Sequence, residues 1–155
     1  TTFSKKISLA LNIPLFKLDD LYWQSYWKRP NETEFTKILN NILQQEEWII
    51  DGNYFRNLAQ RLPYAQAIIF LNSPAYICLL RVFKRFIART LGQTESLPSA
   101  IALNLSNKFH IKIGLRLIKT ILTFSRNTRP KIYALVKESQ KPFYIINNFN
   151  LKDYV

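Results

Sequence analysis

The sequence is poor in the residue types that several common kinds of functional site require. Its one cysteine, Cys78, cannot form a disulfide within the chain, so the reducing cytoplasm is the expected compartment. Its one histidine, His110, gives little support for a histidine-containing metal site or a catalytic triad. The three glycines lie far apart, at Gly52, Gly92 and Gly114, so these residues contain no glycine-rich phosphate loop.

Long apolar runs are also absent. No stretch approaches the roughly 20 apolar residues that a membrane-spanning helix needs, and the first residues do not have the pattern of a signal peptide. Hydrophobic residues nevertheless make up 48% of the chain and aromatic residues 14%, which is typical of a globular protein rather than a disordered one. A chain of 155 residues can bury an ordinary core, and we expect residues 1–155 to form a single domain.

Acidic residues are scarce in one part of the chain. The formal net charge is +12, and residues 81–131, which we call the basic segment, hold eleven lysines and arginines against the single acid Glu95. This composition gives the basic segment a net charge of +10. An anionic ligand, a nucleic acid and an anionic membrane are the three kinds of partner that such a segment fits.

What the sequence does contain is an alternation of helical and strand-like patterns. The spacing of apolar residues predicts helices at residues 2–11, 31–45, 55–60, 74–90, 109–125 and 129–139, and residues 98–105 are compatible with a further short helix. Short apolar runs predict strands at residues 14–18, 48–51, 67–71 and 142–147. Helices that alternate with strands are typical of an α/β fold with a parallel sheet.

Several predicted elements carry signals for their packing. The predicted apolar stripes are Phe3, Ile7 and Leu11; Phe35, Ile38, Leu39, Ile42 and Leu43; Tyr76, Leu80, Phe83 and Ile87; and Ile113, Leu117, Ile121 and Phe124. The runs at 48–51 and 67–71 offer no solvated face, which predicts strands buried on both sides. Asn12 is placed to end the first helix and Asn31 to cap the start of the second.

Acidic side chains follow two of the predicted strands. Asp19 and Asp20 come directly after the first strand, and Asp51 ends the second. Ligands of parallel sheets collect at the carboxyl ends of the strands, so these acids are candidates for a site. Gly52 would let the backbone turn sharply or approach a ligand closely, and Asn53 follows it. Strand-end acids also cap helices, and the sequence alone favours neither role for them.

Two further features have a structural and a functional interpretation. The aromatic connection at residues 21–27 is more simply explained as a hydrophobic cover than as a base-stacking surface, although Trp23 fits either. Arg81, Arg85 and Arg89 lie four residues apart on one helix face. Arginines at this spacing usually form a solvated face, so Arg81 by itself is expected at the surface.

The ordered set of motifs resembles a family of small P-loop proteins of the nucleotide-kinase type, described as adenylate kinase-like or as DNA topology modulation proteins. The matching stretches are Leu11-Asn-Ile-Pro14, Leu18-Asp-Asp-Leu-Tyr-Trp23, Glu47-Trp-Ile-Ile-Asp-Gly-Asn-Tyr54, Ala67-Ile-Ile-Phe-Leu71 before Ser73-Pro74, the helix with Arg81 and Arg85, and Arg129-Pro-Lys131. Together they cover most of the chain, and their order is more specific than any one of them.

The resemblance implies a three-layer α/β fold with a parallel sheet in the strand order 2-3-1-4-5. Members of the family begin with a strand and the loop G-x-x-x-x-G-K-[ST], and Thr1 falls where the residue after the lysine stands. The chain lacks methionine even at position 1, so we expect a piece of a longer protein, with the first strand and its loop encoded before Thr1. Without that strand its two neighbours lack a hydrogen-bonding partner, and we expect the piece to fold poorly and to be inactive.

The resemblance further implies ATP-dependent phosphoryl transfer, assisted by Mg²⁺, to a small nucleotide-like acceptor. Residues 86–127 would be a basic helical lid. The implied catalytic residues are Asp19, Asp51, Arg85 and Arg126, with Thr1, Thr2, Arg89 and Arg129 on the nucleotide. The implied acceptor-binding residues are Asp20, Trp23, Gly52, Asn53 and Arg56, and Thr1 is the implied Mg²⁺ ligand. Phosphoryl transfer depends on positioning and charge neutralisation, which these residue types provide.

Two other functions fit the basic segment. In the first, its lysines and arginines bind nucleic acid phosphates and aromatic residues such as Trp23, Tyr26 and Trp27 stack on bases. This would be a topology-modulating protein without kinase activity. No helix-turn-helix, zinc-finger or RNA-binding motif accompanies this hypothesis. In the second, residues 109–125 form a basic amphipathic helix on an anionic membrane. The sequence leaves the oligomeric state open.

Overall fold

The computed structural model describes residues 2–22, 31–90 and 107–147, apart from the side chains at 86, 88–90 and 107–113. Within these ranges the chain divides into two compact units. The N-terminal unit contains the described residues up to Tyr54, and the C-terminal unit contains those from Phe55 onward. The predicted short helix at 98–105 lies outside the described residues.

The N-terminal unit has three helices and two strands among its described residues. They are α1 (Thr2–Leu11), β1 (Leu15–Lys17), α2 (Leu18–Tyr22), α3 (Glu32–Leu43) and β2 (Ile49–Asp51). β1 and β2 pair in parallel, with Leu15 opposite Ile49 and Lys17 opposite Asp51. The predicted helices and strands in this part of the chain are confirmed, with ends that differ by one or two residues.

Short-range signals set the ends of two of these helices. Asn12 adopts a left-handed conformation with φ of 55°, and the N–H of Ile13 donates to the carbonyl of Ser8 at 3.1 Å, which closes α1 as predicted. At the start of α3, the side-chain oxygen of Asn31 accepts from the N–H of Thr33 at 3.4 Å. This contact confirms Asn31 as the N-cap, a role that satisfies one of the donors left unpaired in a first helical turn.

The core of the N-terminal unit forms where α3 packs. Four residues of the predicted stripe are buried, namely Phe35, Leu39, Ile42 and Leu43. Leu18, the fully buried first residue of α2, forms one cluster with Phe35, Leu39 and Leu43, and Ile50 and Tyr54 pack against it. In contrast, α1 has no buried residue, and Leu11 of its predicted stripe is 61% exposed.

The C-terminal unit is built around a second parallel pair of strands. Its elements are 3₁₀ turns at Phe55–Asn57 and Leu62–Tyr64, α4 (Leu58–Arg61), β3 (Ile68–Leu71), α5 (Ala75–Thr90), α6 (Asn107–Asn127), α7 (Arg129–Ser139) and β4 (Phe143–Ile146). β3 and β4 pair in parallel from Ile68 opposite Phe143 to Leu71 opposite Ile146. These elements confirm the helices and strands predicted from residue 55 onward, apart from the outlying segment at 98–105.

One face of the β3–β4 pair carries the core of this unit. Leu62, Ile132 and Val136 are its buried members. The ring of Phe70 stands at their centre, with its centroid 5.4 Å from that of Tyr133 and 6.5 Å from that of Phe124. The core therefore joins β3 to α6 and α7.

The prediction that the strands at 48–51 and 67–71 are buried on both sides was wrong. β3 alternates, because Ile69 and Leu71 are each 44% exposed while Ile68 and Phe70 face the core. The helices of the C-terminal unit cover one side of its sheet, and Tyr144, which lies opposite Ile69, is also exposed. All three residues of β2 are half-buried rather than fully enclosed.

The predicted packing side of α5 was also wrong. Tyr76, Leu80, Phe83 and Ile87 are exposed by 43–63%, whereas Ile77 is 4% exposed and belongs to the interior. The stripe is present in the sequence as predicted, but the helix turns another side towards its unit. Periodicity identifies an apolar stripe without specifying whether a neighbouring element covers it.

Arg61 is the one buried charged residue among the described residues. It ends α4, is 7% exposed, and donates its Nε–H to the carbonyl of Asn57 at 3.3 Å. Burial lowers the pKa of its guanidinium from its ordinary value to about 10, because the charged form loses its hydration. Arg61 therefore stays charged at neutral pH and serves a structural role.

Candidate functional site

The carboxyl ends of β1 and β2 bring the predicted acids of the N-terminal unit to one sheet edge. Because Lys17 and Asp51 are paired in register, the residues that follow them leave the sheet on the same edge. After β1 the chain enters α2, whose first turn contains Asp19 and Asp20. After β2 it continues through Gly52, which has a positive φ. This edge is the candidate site.

The start of α1 lies at the same edge. Ser4, in the first turn of α1, donates its hydroxyl hydrogen to the Oδ2 atom of the half-buried Asp51 at 3.0 Å. Thr2, the first residue of α1, is exposed. The amino end of a helix presents backbone N–H groups and positive partial charge, both of which favour anions. A phosphate-binding surface beside a strand-end carboxylate is therefore compatible with this geometry.

Asp19 and Asp20 have different partners. The phenol of Tyr54 donates to Asp19 Oδ1 at 2.8 Å, and the Tyr54 ring lies against Tyr22, with the ring centroids 4.8 Å apart. The exposed carboxylate of Asp19 is thus held by a packed side chain. Asp20 instead forms an ion pair with Lys17, Oδ2 to Nζ at 3.5 Å, at a partly exposed position where such pairs contribute little.

Gly52 has a structural reason to be glycine. Its φ of +146° is a conformation that other residues rarely adopt. A Cβ atom added there would lie 2.8 Å from the Cβ of the buried Leu18, which is too close. Glycine is therefore required here by the backbone conformation and by a close approach, which occurs against Leu18. Asn53 follows at an exposed position.

We predict that Gly52→Ala lowers the free energy of unfolding by about 2–4 kcal/mol, because it combines backbone strain with overpacking. The matched control is Gly114→Ala in α6, where an added Cβ would have no atom within 4 Å. In a helix this control is expected to raise stability by about 0.5–1 kcal/mol. Urea unfolding followed by circular dichroism measures both. Equal effects of the two substitutions would contradict the turn geometry.

The predicted arginines belong to the C-terminal unit. Arg56, Arg85 and Arg126 are exposed, in the first 3₁₀ turn, in α5 and in α6. Arg129 is half-buried at the start of α7, and its Nε atom is buried without a hydrogen-bond partner among the described residues. Arg89 belongs to α5, but its side chain is not described. The structure thus describes the acids and the arginines in separate units.

Two predicted site residues, Thr1 and Trp23, lie outside the described residues. The described part of the chain contains no group of three or more histidines, cysteines or acids that could hold a metal ion by itself. Mg²⁺ commonly uses only one or two protein carboxylates and takes its other ligands from substrate phosphates and water. Asp51 beside the start of α1 fits that kind of site.

Sequence reasoning missed two residues of this edge, Ser4 and Tyr54. Each was part of a motif, since Ser4 lies in the first helix turn and Tyr54 ends the stretch Trp48-Ile-Ile-Asp-Gly-Asn-Tyr54. Their hydrogen bonds reach Asp51 and Asp19, which are 47 and 35 positions away in the sequence. No local pattern reports contacts over such separations.

Comparison of the chain with known protein families, with curated proteins and with solved structures finds no match in any of the three. In the described part of the chain, no helix has the length and apolar character needed to cross a bilayer. The function is therefore inferred from the geometry of the strand ends, from the pairing of the strands and from the distribution of charge.

Proposed function

We propose that the chain belongs to an ATP-dependent phosphotransferase of the P-loop, nucleotide-kinase type that acts on a small nucleotide-like acceptor. The two strand pairings carry this proposal. In the order 2-3-1-4-5, strands 2 and 3 are neighbours and strands 4 and 5 are neighbours. If strand 1 is encoded before Thr1, β1 with β2 and β3 with β4 are these two pairs, and both are parallel as the order requires.

The contact between α1 and β2 supports the same assignment. In a P-loop fold the helix after the phosphate loop starts at the carboxyl edge of the sheet, and Ser4 of α1 is hydrogen-bonded to Asp51 at that edge. In this proposal the amino end of α1, with Thr1 and Thr2, binds the ATP phosphates. Bound Mg²⁺ would neutralise phosphate charge, and Thr1 together with Asp51 would hold it.

Asp19 is the residue that we propose to accept the proton of the acceptor hydroxyl. Its carboxylate is exposed and oriented by the phenol of Tyr54, whereas Asp20 is engaged with Lys17. A general base must be held in position before its pKa matters, which favours Asp19. Gly52, Asn53 and, outside the described residues, Trp23 would line the acceptor site.

The resemblance implies that a basic lid at residues 86–127, together with Arg85 and Arg129 near its two ends, neutralises the transferring phosphoryl group. Exposed Arg85 and Arg126 can approach an anion directly, and the Nε–H of Arg129 has no partner among the described residues. Arginine suits this role because its planar guanidinium matches phosphate oxygens in pairs. The single cysteine favours a cytoplasmic location for this activity.

Nucleic-acid binding without kinase activity is the second candidate. It is favoured by the charge of α6, where Arg116, Lys119 and Arg126 are exposed and the helix sequence contains no acid. Such a surface attracts any polyanion through its cations, with a strong dependence on salt. Its binding would be independent of Asp51 and of the start of α1.

Thermal unfolding tests the two functions against each other. The sample is the full-length protein, measured with Mg·ATP or with duplex DNA. Mg·ATP at about 100 times its Kd is expected to stabilise the protein by about 2.7 kcal/mol. Asp51→Asn should reduce the ATP effect, and Lys137→Gln, an exposed position outside the proposed lid, should leave it unchanged. The second function predicts another result, in which DNA stabilises the protein and Mg·ATP does not. In that case Lys119→Gln should reduce the effect of DNA, and Asp51→Asn should leave it unchanged.

A further inference from the structure

Helix α6 exposes a row of aliphatic side chains. Leu115 is 63% exposed, Ile118 37% and Leu122 57%. Residues three and four positions apart lie on one side of an α-helix, so these three form a continuous stripe. Isolated exposed leucines are common on protein surfaces, but a stripe of this kind indicates a surface that contacts another apolar phase.

This stripe is separate from the one that attaches α6 to its unit. Phe124 belongs to the packed cluster and its ring lies parallel to that of Phe70, while Ile121 is half-buried. Phe124 lies on the opposite side of the helix from Leu115 and Leu122, and Ile121 lies between the packed side and the exposed stripe. A helix that packs on one side needs one apolar stripe, so the exposed stripe of α6 is not explained by the fold.

Cationic side chains share the exposed side of α6. Lys119 follows Leu115 by one helical turn, and Arg126 follows Leu122 by one turn, so each cation lies beside an exposed leucine. Both are exposed, as is Arg116. No aspartate or glutamate occurs in residues 107–127, so no acid of this helix neutralises them.

We propose that α6 binds the surface of an anionic membrane, lying in its plane with Leu115, Ile118 and Leu122 in the acyl region. Lys119 and Arg126 would extend their charged ends to the lipid phosphates while their stems remain among the chains. α6 does not have the composition of a membrane-spanning helix, which agrees with a position at the interface. This binding is independent of the proposed phosphoryl transfer.

Other kinds of partner would match either the cations or the aliphatic side chains of this surface, but not both. A nucleic acid would pair with the cations but has no apolar region for aliphatic side chains, and the exposed stripe offers no aromatic ring for base stacking. A second copy of the chain would cover the stripe but would place like charges opposite each other without acids between them. An anionic membrane accommodates both the aliphatic and the cationic side chains.

Vesicle co-sedimentation tests the proposal. The chain is mixed with vesicles of phosphatidylcholine alone, or of equal parts phosphatidylcholine and phosphatidylserine. We expect binding to the anionic vesicles only. The double variant Ile118→Ser and Leu122→Ser should weaken that binding at least about tenfold, since it removes apolar area. Lys119→Gln should weaken it about fivefold, since each cation near an anionic surface contributes about that factor.

Matched controls keep the test specific. Leu9→Ser changes an exposed leucine of α1, and Lys137→Gln removes an exposed cation of α7, and both should bind vesicles like the unaltered chain. Circular dichroism confirms that the variants stay folded. Equal binding to neutral vesicles, or serine variants that bind as tightly as the unaltered chain, would overturn the proposal. The proposal would also be overturned if the serine variants changed only the oligomeric state of the chain, or only its affinity for duplex DNA.

Discussion

Replacing Asp19 by asparagine is expected to lower kcat for phosphoryl transfer by about 10²- to 10⁴-fold, the range that loss of a general base produces. Asparagine has nearly the same shape and still accepts the hydrogen bond from Tyr54, so the substitution removes the basicity and leaves the packing of the site intact. KM for ATP should change little, because Asp19 is not among the residues proposed to bind the ATP phosphates. Steady-state kinetics of the full-length protein measures both constants.

Two variants at the same sheet edge distinguish the loss of the general base from the loss of its correct position. Asp20→Asn removes the neighbouring carboxylate, which is bound to Lys17, and should leave kcat nearly unchanged. Tyr54→Phe removes only the phenol that holds Asp19 and should lower kcat about tenfold, as expected for the loss of one hydrogen bond to a charged group. A larger loss of kcat in Asp20→Asn than in Asp19→Asn would reverse the assignment of the two acids.

Replacing Phe35 by alanine is expected to lower the free energy of unfolding by about 3–5 kcal/mol. Phe35 is 2% exposed, and its ring packs edge-on against Tyr22 at 5.1 Å and lies 5.8 Å from Tyr54. The substitution would leave a cavity under both tyrosines and release Tyr54 from the position in which it holds Asp19. Stability and the candidate site are therefore coupled through one aromatic ring.

An exposed residue provides the comparison for Phe35. Leu9 of α1 is 83% exposed, and Leu9→Ala should change stability by no more than about 0.5 kcal/mol. Urea unfolding, followed by tyrosine fluorescence and by circular dichroism, measures both variants. If Phe35→Ala were as stable as Leu9→Ala, the described core of the N-terminal unit would be incorrect.

The elements were predictable because their signals are local. Asn12 and Asn31 mark helix ends through backbone conformation and a side-chain bond to a neighbour, and the structure has both features at those residues. The stripe of α3 was also predictable, since Phe35 and Leu39 lie one turn apart and both are buried. Interactions between residues that are close in the sequence can be predicted directly from the sequence.

The errors and omissions concern contacts between distant segments. The stripe of α5 that includes Leu80 and Phe83 has the period of a packed helix but is exposed, and β3 exposes Ile69. In both cases the pattern reports apolar character, while burial depends on which segment lies opposite. The positions of Asp19 and Asp51 at strand ends were predictable, but the partners that hold them were not.

Hydrogen–deuterium exchange with and without Mg·ATP tests the central claim most directly. The first backbone N–H groups of a helix have no partner within the helix and exchange quickly unless a ligand binds them. For the full-length protein, we predict that Mg·ATP slows exchange at the start of α1 and at residues 51–54. Unchanged exchange at both places, together with protection of α6 by duplex DNA, would contradict the assignment as a phosphotransferase.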